Sequence, residues 1–164
     1  MTRADQFDPI VRTHQGAVRT FLRRLCRNSA LADELAQEAF LKAFRASDPL
    51  HTIENVRSWL LRIAYRTFLD HHRRENRRRD LADTNADVDY PPSSSQSLRL
   101  DIEQAMNALP SERRACAMLC LALGHSHSDA ATITGLPLGT VKSHVTRAKT
   151  ALQNHLSAYE GETG

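Results

Sequence analysis

Arginine is concentrated in one stretch of this 164-residue chain. Eight arginines lie between residues 57 and 79, with only two acidic residues among them. On a helical wheel, Arg62, Arg66 and Arg73 fall within about 40° of one another. Guanidinium groups in such a row bind phosphates, and the nearby Tyr65 offers a ring on which an unpaired base can stack. The stretch predicts a helix that binds nucleic acid, although a solvated basic face is the simpler alternative.

A second helix carries acidic residues away from its apolar face. Asp33, Glu34, Gln37 and Glu38 share this polar side with an outward Leu41. Glu34 and Glu38 are like charges one turn apart, an arrangement that costs a helix about 0.2–0.5 kcal/mol. An acidic patch with an exposed leucine suits a docking surface for a basic partner. Taken alone, the pattern favours a solvated helix face.

The last third of the chain has the pattern of a helix-turn-helix. Ser126 and Asp129 form a capping pattern before a short helix that Gly135 ends, and the turn 136–139 follows. The next helix has apolar residues on one side. Its outward polar residues are Thr140, Lys142, Ser143, Thr146, Arg147 and Lys149. In a helix-turn-helix this second helix enters the major groove of DNA, whereas an ordinary helical hairpin would not.

Cysteine and histidine suggest one further kind of chemistry. Cys116, Cys120, His125 and His127 are close in sequence. Their spacing differs from that of known zinc sites, and cysteine often serves as a small buried hydrophobe. A metal site here remains an alternative. The sequence contains neither a glycine-rich phosphate loop nor a His-Glu-x-x-His motif, so it predicts no enzymatic activity and no cofactor.

The elements that position these residues are all predicted to be helices. Apolar residues recur at steps of three and four through both halves of the chain, and no alternating strand pattern occurs. Asp8-Pro9 suits the start of the first helix, and Ser29 and Asn55 suit the starts of the next two. Farther on, a helix from Leu98 stops before Pro110, and Ser111 is expected to cap its successor. The fold class is therefore all-α.

Charge divides the chain into three segments. Residues 1–79 have a net charge of +7, residues 80–98 have −4 and residues 99–164 are neutral, within a total of +3. We therefore predict a helical module at 1–79, a flexible acidic linker at 80–97 and a second helical module at 98–164. Three cysteines, an odd number, argue against a disulfide framework. With no membrane-spanning or signal-peptide pattern, we expect a cytoplasmic protein without membrane insertion.

Three segments resemble the extracytoplasmic-function (ECF) class of bacterial sigma factors. Residues 33–44 (DELAQEAFLKAF) are similar to the segment that binds core RNA polymerase. Residues 55–64 (NVRSWLLRIA) resemble the following helix for the −10 promoter element, and residues 136–143 (LPLGTVKS) resemble the helix-turn-helix that reads the −35 element. The order and spacing fit this class, which keeps sigma domains 2 and 4.

The resemblance implies a role for each surface. Domain 2 would bind core RNA polymerase through Asp33, Glu34, Gln37, Glu38 and Leu41. It would bind and melt the −10 element through Arg57, Arg62, Tyr65, Arg66, Arg73, Arg74 and Arg77, with the loop Ser47–Glu54 as a further candidate to hold a flipped base. Domain 4 would bind the −35 element through Thr140, Lys142, Ser143, His144, Arg147 and Lys149. Core RNA polymerase, promoter DNA and an anti-sigma factor are the implied partners.

Two departures from the family pattern and one open question remain. Asp129-Ala130-Ala131 stands where the family usually has Glu-Ile-Ala, and His144 stands where an arginine is common. The linker either threads the RNA exit channel of polymerase as a mimic of RNA or serves as a passive tether. A stand-alone helix-turn-helix repressor and a metal- or redox-responsive regulator are the competing functions. The first would not need the acidic segment, and the second would bind zinc stoichiometrically.

Overall fold

The computed structural model describes residues 2–46, 53–82 and 98–162, and the described chain is built from helices. No strand occurs within these three ranges. The elements in order are α1 Arg3–Cys26, α2 Ser29–Ala46, α3 Val56–Ala82, α4 Leu98–Ala108, α5 Ser111–Ala117, a π-helical turn Met118–Ala122, α6 His127–Thr134 and α7 Leu138–Glu162. The predicted all-α fold class is confirmed.

The first helix begins earlier than the sequence suggested. Thr2 and Asp5 form a reciprocal capping box, in which the Thr2 hydroxyl accepts a hydrogen bond from the Asp5 N–H at 3.2 Å. Helix α1 therefore starts at Arg3, and Pro9 lies about two turns inside it. The expected start at Asp8-Pro9 is wrong because this cap already satisfies the free N–H groups upstream of the proline.

Asparagine side chains cap both α2 and α3. The Asn28 side chain accepts a hydrogen bond from the Leu31 N–H at 3.2 Å, and Asn55 accepts one from the Ser58 N–H at 3.0 Å. The start of α3 near Asn55 agrees with the prediction. Ser29, expected to cap α2, is instead its first helical residue. Arg27 between α1 and α2 has a left-handed backbone (φ 55°), which lets the chain reverse direction.

The helix after Pro110 departs from the predicted register. Ser111 is the first residue of α5 and makes no capping hydrogen bond through its side chain, so its predicted capping role is wrong. The helix then widens into the π-helical turn, where the Leu123 N–H bonds to the Met118 carbonyl at 2.9 Å. A period of 3.6 residues would turn Ala122 toward the core, but the wider turn places it on the surface.

The helix-turn-helix has the caps that its sequence predicts. The Ser126 hydroxyl accepts a hydrogen bond from the Asp129 N–H at 3.0 Å at the start of α6. Gly135 ends that helix with φ 75°, a backbone conformation that other residues adopt only with strain. Helix α7 buries Val141, Val145 and Ala148, as its period indicates.

The two predicted modules pack against each other and share one core. Helix α3 lies against α6, and α1 lies against α5 and the π-helical turn. The side chain of Arg114 on α5, only 3% exposed, joins them: it donates to the Leu25 carbonyl of α1 at 2.8 Å and to the Leu109 carbonyl after α4 at 2.7 Å. The predicted linker lies largely outside the described residues, which stop at 82 and resume at 98.

Candidate functional surfaces

The acidic face of α2 consists of Asp33, Glu34, Gln37, Glu38 and Leu41. Glu34 and Gln37 are exposed, and Leu41 is 50% exposed, which is high for a leucine. Glu38 pairs with Lys42 at 3.2 Å, and Asp33 lies 3.5 Å from Arg23 of α1. Both pairs remain open to solvent. The structure therefore keeps these five residues together at the surface.

A groove beside the acidic face is a feature that the sequence did not reveal. It has a volume of about 350 Å³ and runs between α1 and α2. Gln37 and Leu41 line it together with the rings of Phe40 and Phe44. The helical period would turn Phe40 toward the core, but the side chain is only half-buried and lines the groove. The acidic face therefore borders an apolar groove.

The basic stripe consists of Arg62, Arg66 and Arg73 on α3. All three side chains are exposed, as the helical wheel predicts. Arg74 and Arg77 are also exposed, farther along the same helix. The loop Ser47–Glu54 falls for the most part outside the described residues, since only 53 and 54 are described. The stripe thus presents its three guanidinium groups to solvent on one side of α3.

Tyr65 and Arg57 do not join the exposed stripe. Tyr65 is 2% exposed, with its ring 6.3 Å from those of Phe21 and Phe68, so it offers solvent no stacking surface in this arrangement. Burial raises the pKa of the Tyr65 hydroxyl to about 12, and the nearby Glu112 of α5 contributes to the rise. Wheel geometry placed Tyr65 beside the stripe and could not show that Phe21 of α1 packs near its ring.

Arg57 contacts the second module directly. Its guanidinium donates a hydrogen bond to the Leu123 carbonyl at 3.4 Å. Burial lowers the pKa of His125, and the positive charge of Arg57 lowers it further, while Asp129 opposes both. Burial and Arg57 also lower the pKa of His14 on α1. The charge of Arg57 therefore acts on histidines of both modules.

The recognition helix α7 presents most of its predicted residues outward. Lys142, Ser143, Arg147 and Lys149 are exposed, whereas Thr140 is half-buried. His144 differs, because its side chain is only 16% exposed and its Nε2 lies 3.6 Å from the Glu112 carboxylate of α5. The expectation that His144 faces a DNA groove is therefore not met in this structure. The His144 side chain thus contacts its own module rather than solvent.

The cysteines and histidines do not converge on a metal site. Throughout the described part of the chain, no three His, Cys, Asp or Glu side chains stand close enough together to hold a metal ion. Cys116 is fully buried, and burial raises the pKa of its thiol to about 12, with smaller contributions from Cys120 and Glu112. Such a thiol is a poor metal ligand, since the thiolate is the form that binds.

The fold and these surfaces define a class: an all-α protein of two modules, with a helix-turn-helix in the second. Residues 10–78 match the family Sigma-70 region 2, and residues 99–152 match the family Sigma-70, region 4. None of the described helices is long and apolar enough to cross a bilayer.

Curated relatives support the same class. The ECF RNA polymerase sigma factor EcfG of Rhodopseudomonas palustris is 32% identical over 83% of this chain and 77% of its own length. The ECF RNA polymerase sigma factor SigE of Mycolicibacterium smegmatis is 32% identical over 96% of this chain, which spans 64% of that relative's length. The chain belongs to the ECF class of the sigma-70 family.

Solved structures extend the similarity to the tertiary level. The sigma factor RpoE of Bartonella quintana, solved in complex with the anti-sigma factor NepR, superposes with a TM-score of 0.80. It is 30% identical to this chain, and the match covers 93% of this chain and 97% of that one. CnrH, solved with the cytosolic domain of CnrY, is 24% identical with a TM-score of 0.64 and shares the fold.

Proposed function

We propose that this sigma factor binds core RNA polymerase through the acidic face of α2 and directs it to promoters through α3 and α7. The observation that supports the proposal most is the pairing of surfaces of opposite charge. The acidic face is exposed on α2 beside an apolar groove, while the basic stripe is exposed on α3. An acidic docking face suits a basic protein surface, whereas exposed arginines suit DNA phosphates.

Each module has its own part in this mechanism. The first module, 1–79, binds polymerase and holds the −10 element, where the basic stripe contacts the backbone of the melted strand. The second module, 98–164, places α7 in the major groove of the −35 element. Lys142, Ser143 and Arg147 face the bases, while Thr140 and Lys149 lie nearer the phosphates. The acidic linker, 80–97, joins the two modules.

Catalysis in this scheme belongs to the polymerase. The chain contributes promoter choice and duplex opening rather than a chemical step, so no cofactor or metal is needed. Its place of action is the cytoplasm, where bacterial polymerase and DNA are found. An anti-sigma factor is the proposed inhibitor, by analogy with RpoE of Bartonella quintana, which was solved in complex with one.

Reconstituted transcription tests this function directly. Core RNA polymerase with the purified chain should start transcripts at a defined set of sites on a fragmented genomic library, and core alone should not. A stand-alone repressor would bind duplex DNA without polymerase and produce no such transcripts. If the chain neither copurifies with core nor starts transcription, the proposed function is wrong.

Replacing Arg66 of the basic stripe tests its role in promoter opening. Arg66→Ala is expected to reduce the permanganate reactivity of melted thymines by about tenfold, because the exposed guanidinium would contact the phosphates of the open strand. Binding to core polymerase should stay at the wild-type level. Arg12→Ala, which removes an exposed arginine from α1, serves as the matched control. An equal loss of opening and core binding would make Arg66 a structural residue instead.

A separate substitution tests −35 recognition. Arg147→Ala is expected to weaken binding to the −35 duplex by about 1–3 kcal/mol, the range for a bidentate base contact. The loss should differ between promoter sequences. In contrast, Lys149→Ala should weaken binding to every sequence alike and lower the salt dependence, as loss of a phosphate contact does. Titrations of labelled duplexes at several salt concentrations measure the affinity and its salt dependence. If Arg147→Ala lowered the affinity equally for every promoter sequence, base recognition by Arg147 would be contradicted.

A further inference from the structure

A cleft of about 880 Å³ is bounded by α3 and by the turn 109–110 between α4 and α5. Its volume lies within the range of about 300–1,000 Å³ that small-molecule sites occupy. Its charged or titratable side chains, apart from the thiol of Cys26, are Arg27, His71, His72, Glu75, Arg79 and Arg114. None of them is among the residues proposed for polymerase or promoter binding. The cleft is therefore a separate feature of the molecule.

Positive charge dominates the lining of this cleft. Among the described residues that line it, three arginines and two histidines stand against a single carboxylate, that of Glu75. Glu75 pairs at 3.5 Å with Arg78, which does not line the cleft. Arg27 and Arg79 are exposed, and neither forms an ion pair with another described residue. Much of the arginine charge in the cleft is therefore uncompensated by the protein itself.

Arg27 and Arg114 lie close enough together to repel each other. Burial, and after it the nearby charge of Arg27, lowers the pKa of Arg114 to about 10. The start of α2, where Asn28 lines the cleft, adds the positive end of a helix dipole. An anion bound in the cleft would offset both contributions. This side of the cleft therefore favours a ligand that carries more than one negative charge.

The cleft also has an apolar surface. Leu25, Phe68 and Leu109 line it and are at most 5% exposed. The ring of His72, an exposed residue, stacks on the ring of Phe68 with the centroids 5.7 Å apart. Planar ring systems, including nucleic-acid bases, pack favourably on aromatic and apolar surfaces of this kind. The cleft thus combines a surface for a planar ring with a basic surface for an anion.

We propose that this cleft binds a nucleoside polyphosphate, with its phosphates on Arg27 and Arg79 and its base against Phe68 and His72. Arginine suits this role because its planar set of donors binds phosphate oxygens in pairs. Arg114 contributes charge rather than a direct contact, because backbone carbonyls such as those of Met106 and Leu109 already occupy its donors. The proposal goes beyond promoter recognition and does not depend on it.

Isothermal titration of the full chain with ATP as the probe, in EDTA so that no metal ion covers the phosphates, tests the proposal. We expect saturable binding to one site with a dissociation constant below about 1 mM. Inorganic tripolyphosphate should bind about tenfold more weakly than ATP, and adenosine should not bind measurably, because each supplies only one part of the ligand.

Two arginine substitutions locate the phosphates. Arg27→Ala and Arg79→Ala should each weaken ATP binding about tenfold, because each removes a charge-assisted hydrogen bond. Arg12→Ala and Arg45→Ala are the matched controls, since they remove exposed arginines that do not line the cleft. They should change the affinity for ATP by less than twofold. Circular dichroism checks that each variant keeps its helix content.

A charge inserted at Ala108 tests the cleft without removing a charged or hydrogen-bonding side chain. Ala108 is exposed at the end of α4 and lines the cleft. Ala108→Glu should weaken ATP binding about five- to tenfold, and Ala108→Lys should tighten it several-fold, because the added charge repels or attracts the phosphates. The same substitutions at Ala46, exposed at the end of α2 and outside the cleft, should have less than a twofold effect.

A labelled single strand of 12 nucleotides separates a nucleotide site from a further contact to DNA. Measured by anisotropy, Ala108→Glu should change the affinity for this strand no more than Ala46→Glu does. A loss of strand binding as large as the loss of ATP binding would overturn the proposal in favour of a nucleic-acid contact. The proposal is also overturned if ATP does not saturate the chain, if tripolyphosphate binds as tightly as ATP, or if Arg27→Ala and Arg79→Ala lose no more affinity than their controls.

Discussion

Replacing Glu34 and Glu38 of the acidic face by lysine is expected to abolish copurification with core RNA polymerase. Both carboxylates lie on the solvent side of α2, beside the groove next to the exposed Leu41. Against a basic partner surface, each substitution turns an attraction into a like-charge contact, which costs several kcal/mol when desolvated. We expect the affinity for core to fall by about 100-fold or more, as measured by competition with the wild-type chain.

The fold should survive this double substitution. Glu38→Lys also places a second positive charge beside Lys42, which costs α2 only about 0.5 kcal/mol. The matched control reverses two carboxylates away from the acidic face and the linker, Asp8 and Glu75, whose side chains are 57% and 41% exposed, and should bind core as the wild type does. Unchanged binding of the Glu34/Glu38 variant to core would refute the proposed docking face.

Substitution of Arg114 is expected to cause the largest loss of stability. The guanidinium is 3% exposed and donates to carbonyls at the C-terminal ends of α1 and α4, at distances down to 2.7 Å. Burial lowers its pKa to about 10, so the group stays charged at neutral pH, and the negative ends of two helix dipoles face it. Arg114→Met removes these bonds and leaves the carbonyls unpaired, at a cost of about 3 kcal/mol.

Urea denaturation followed by circular dichroism measures this loss. Arg12→Met, at an exposed position, should change the free energy of unfolding by less than about 0.5 kcal/mol. Arg114→Lys keeps the charge but not the planar set of donors, and should recover only part of the stability. An Arg114→Met variant as stable as the wild type would show that water replaces the guanidinium at these carbonyls.

Local signals in the sequence determined much of the secondary structure. The Ser126–Asp129 cap and Gly135 fix the ends of α6 because a capping oxygen and a left-handed glycine act within a few residues. The exposed positions of Arg62, Arg66 and Arg73 follow from the helical period alone. The start of α1 was harder to predict because two local signals compete for it. The Thr2–Asp5 capping box starts the helix upstream of the Asp8-Pro9 pair.

The hydrophobic period could not predict which residues face the core where α5 runs into the π-helical turn. A period of 3.6 residues predicts an inward Ala122, but the π-helical turn changes the angle per residue and turns it outward. Nothing in the local sequence marks that turn. The sequence pattern of the same helix does not indicate that Arg114 is buried. Its burial depends on carbonyls that α1 and α4 supply from distant parts of the chain.

The sequence by itself determined the helical fold class, the order of the surfaces and the family, because charge, spacing and caps are properties of neighbouring residues. Only the tertiary structure decided which residues of those surfaces face solvent. Tyr65 satisfies the helical wheel as an outward candidate, and the family resemblance implied His144. Yet Tyr65 is buried beside Phe21 and Phe68, and His144 faces Glu112 of α5. Packing between helices far apart in sequence sets their exposure, and a wheel drawn for one helix contains no information about its neighbours.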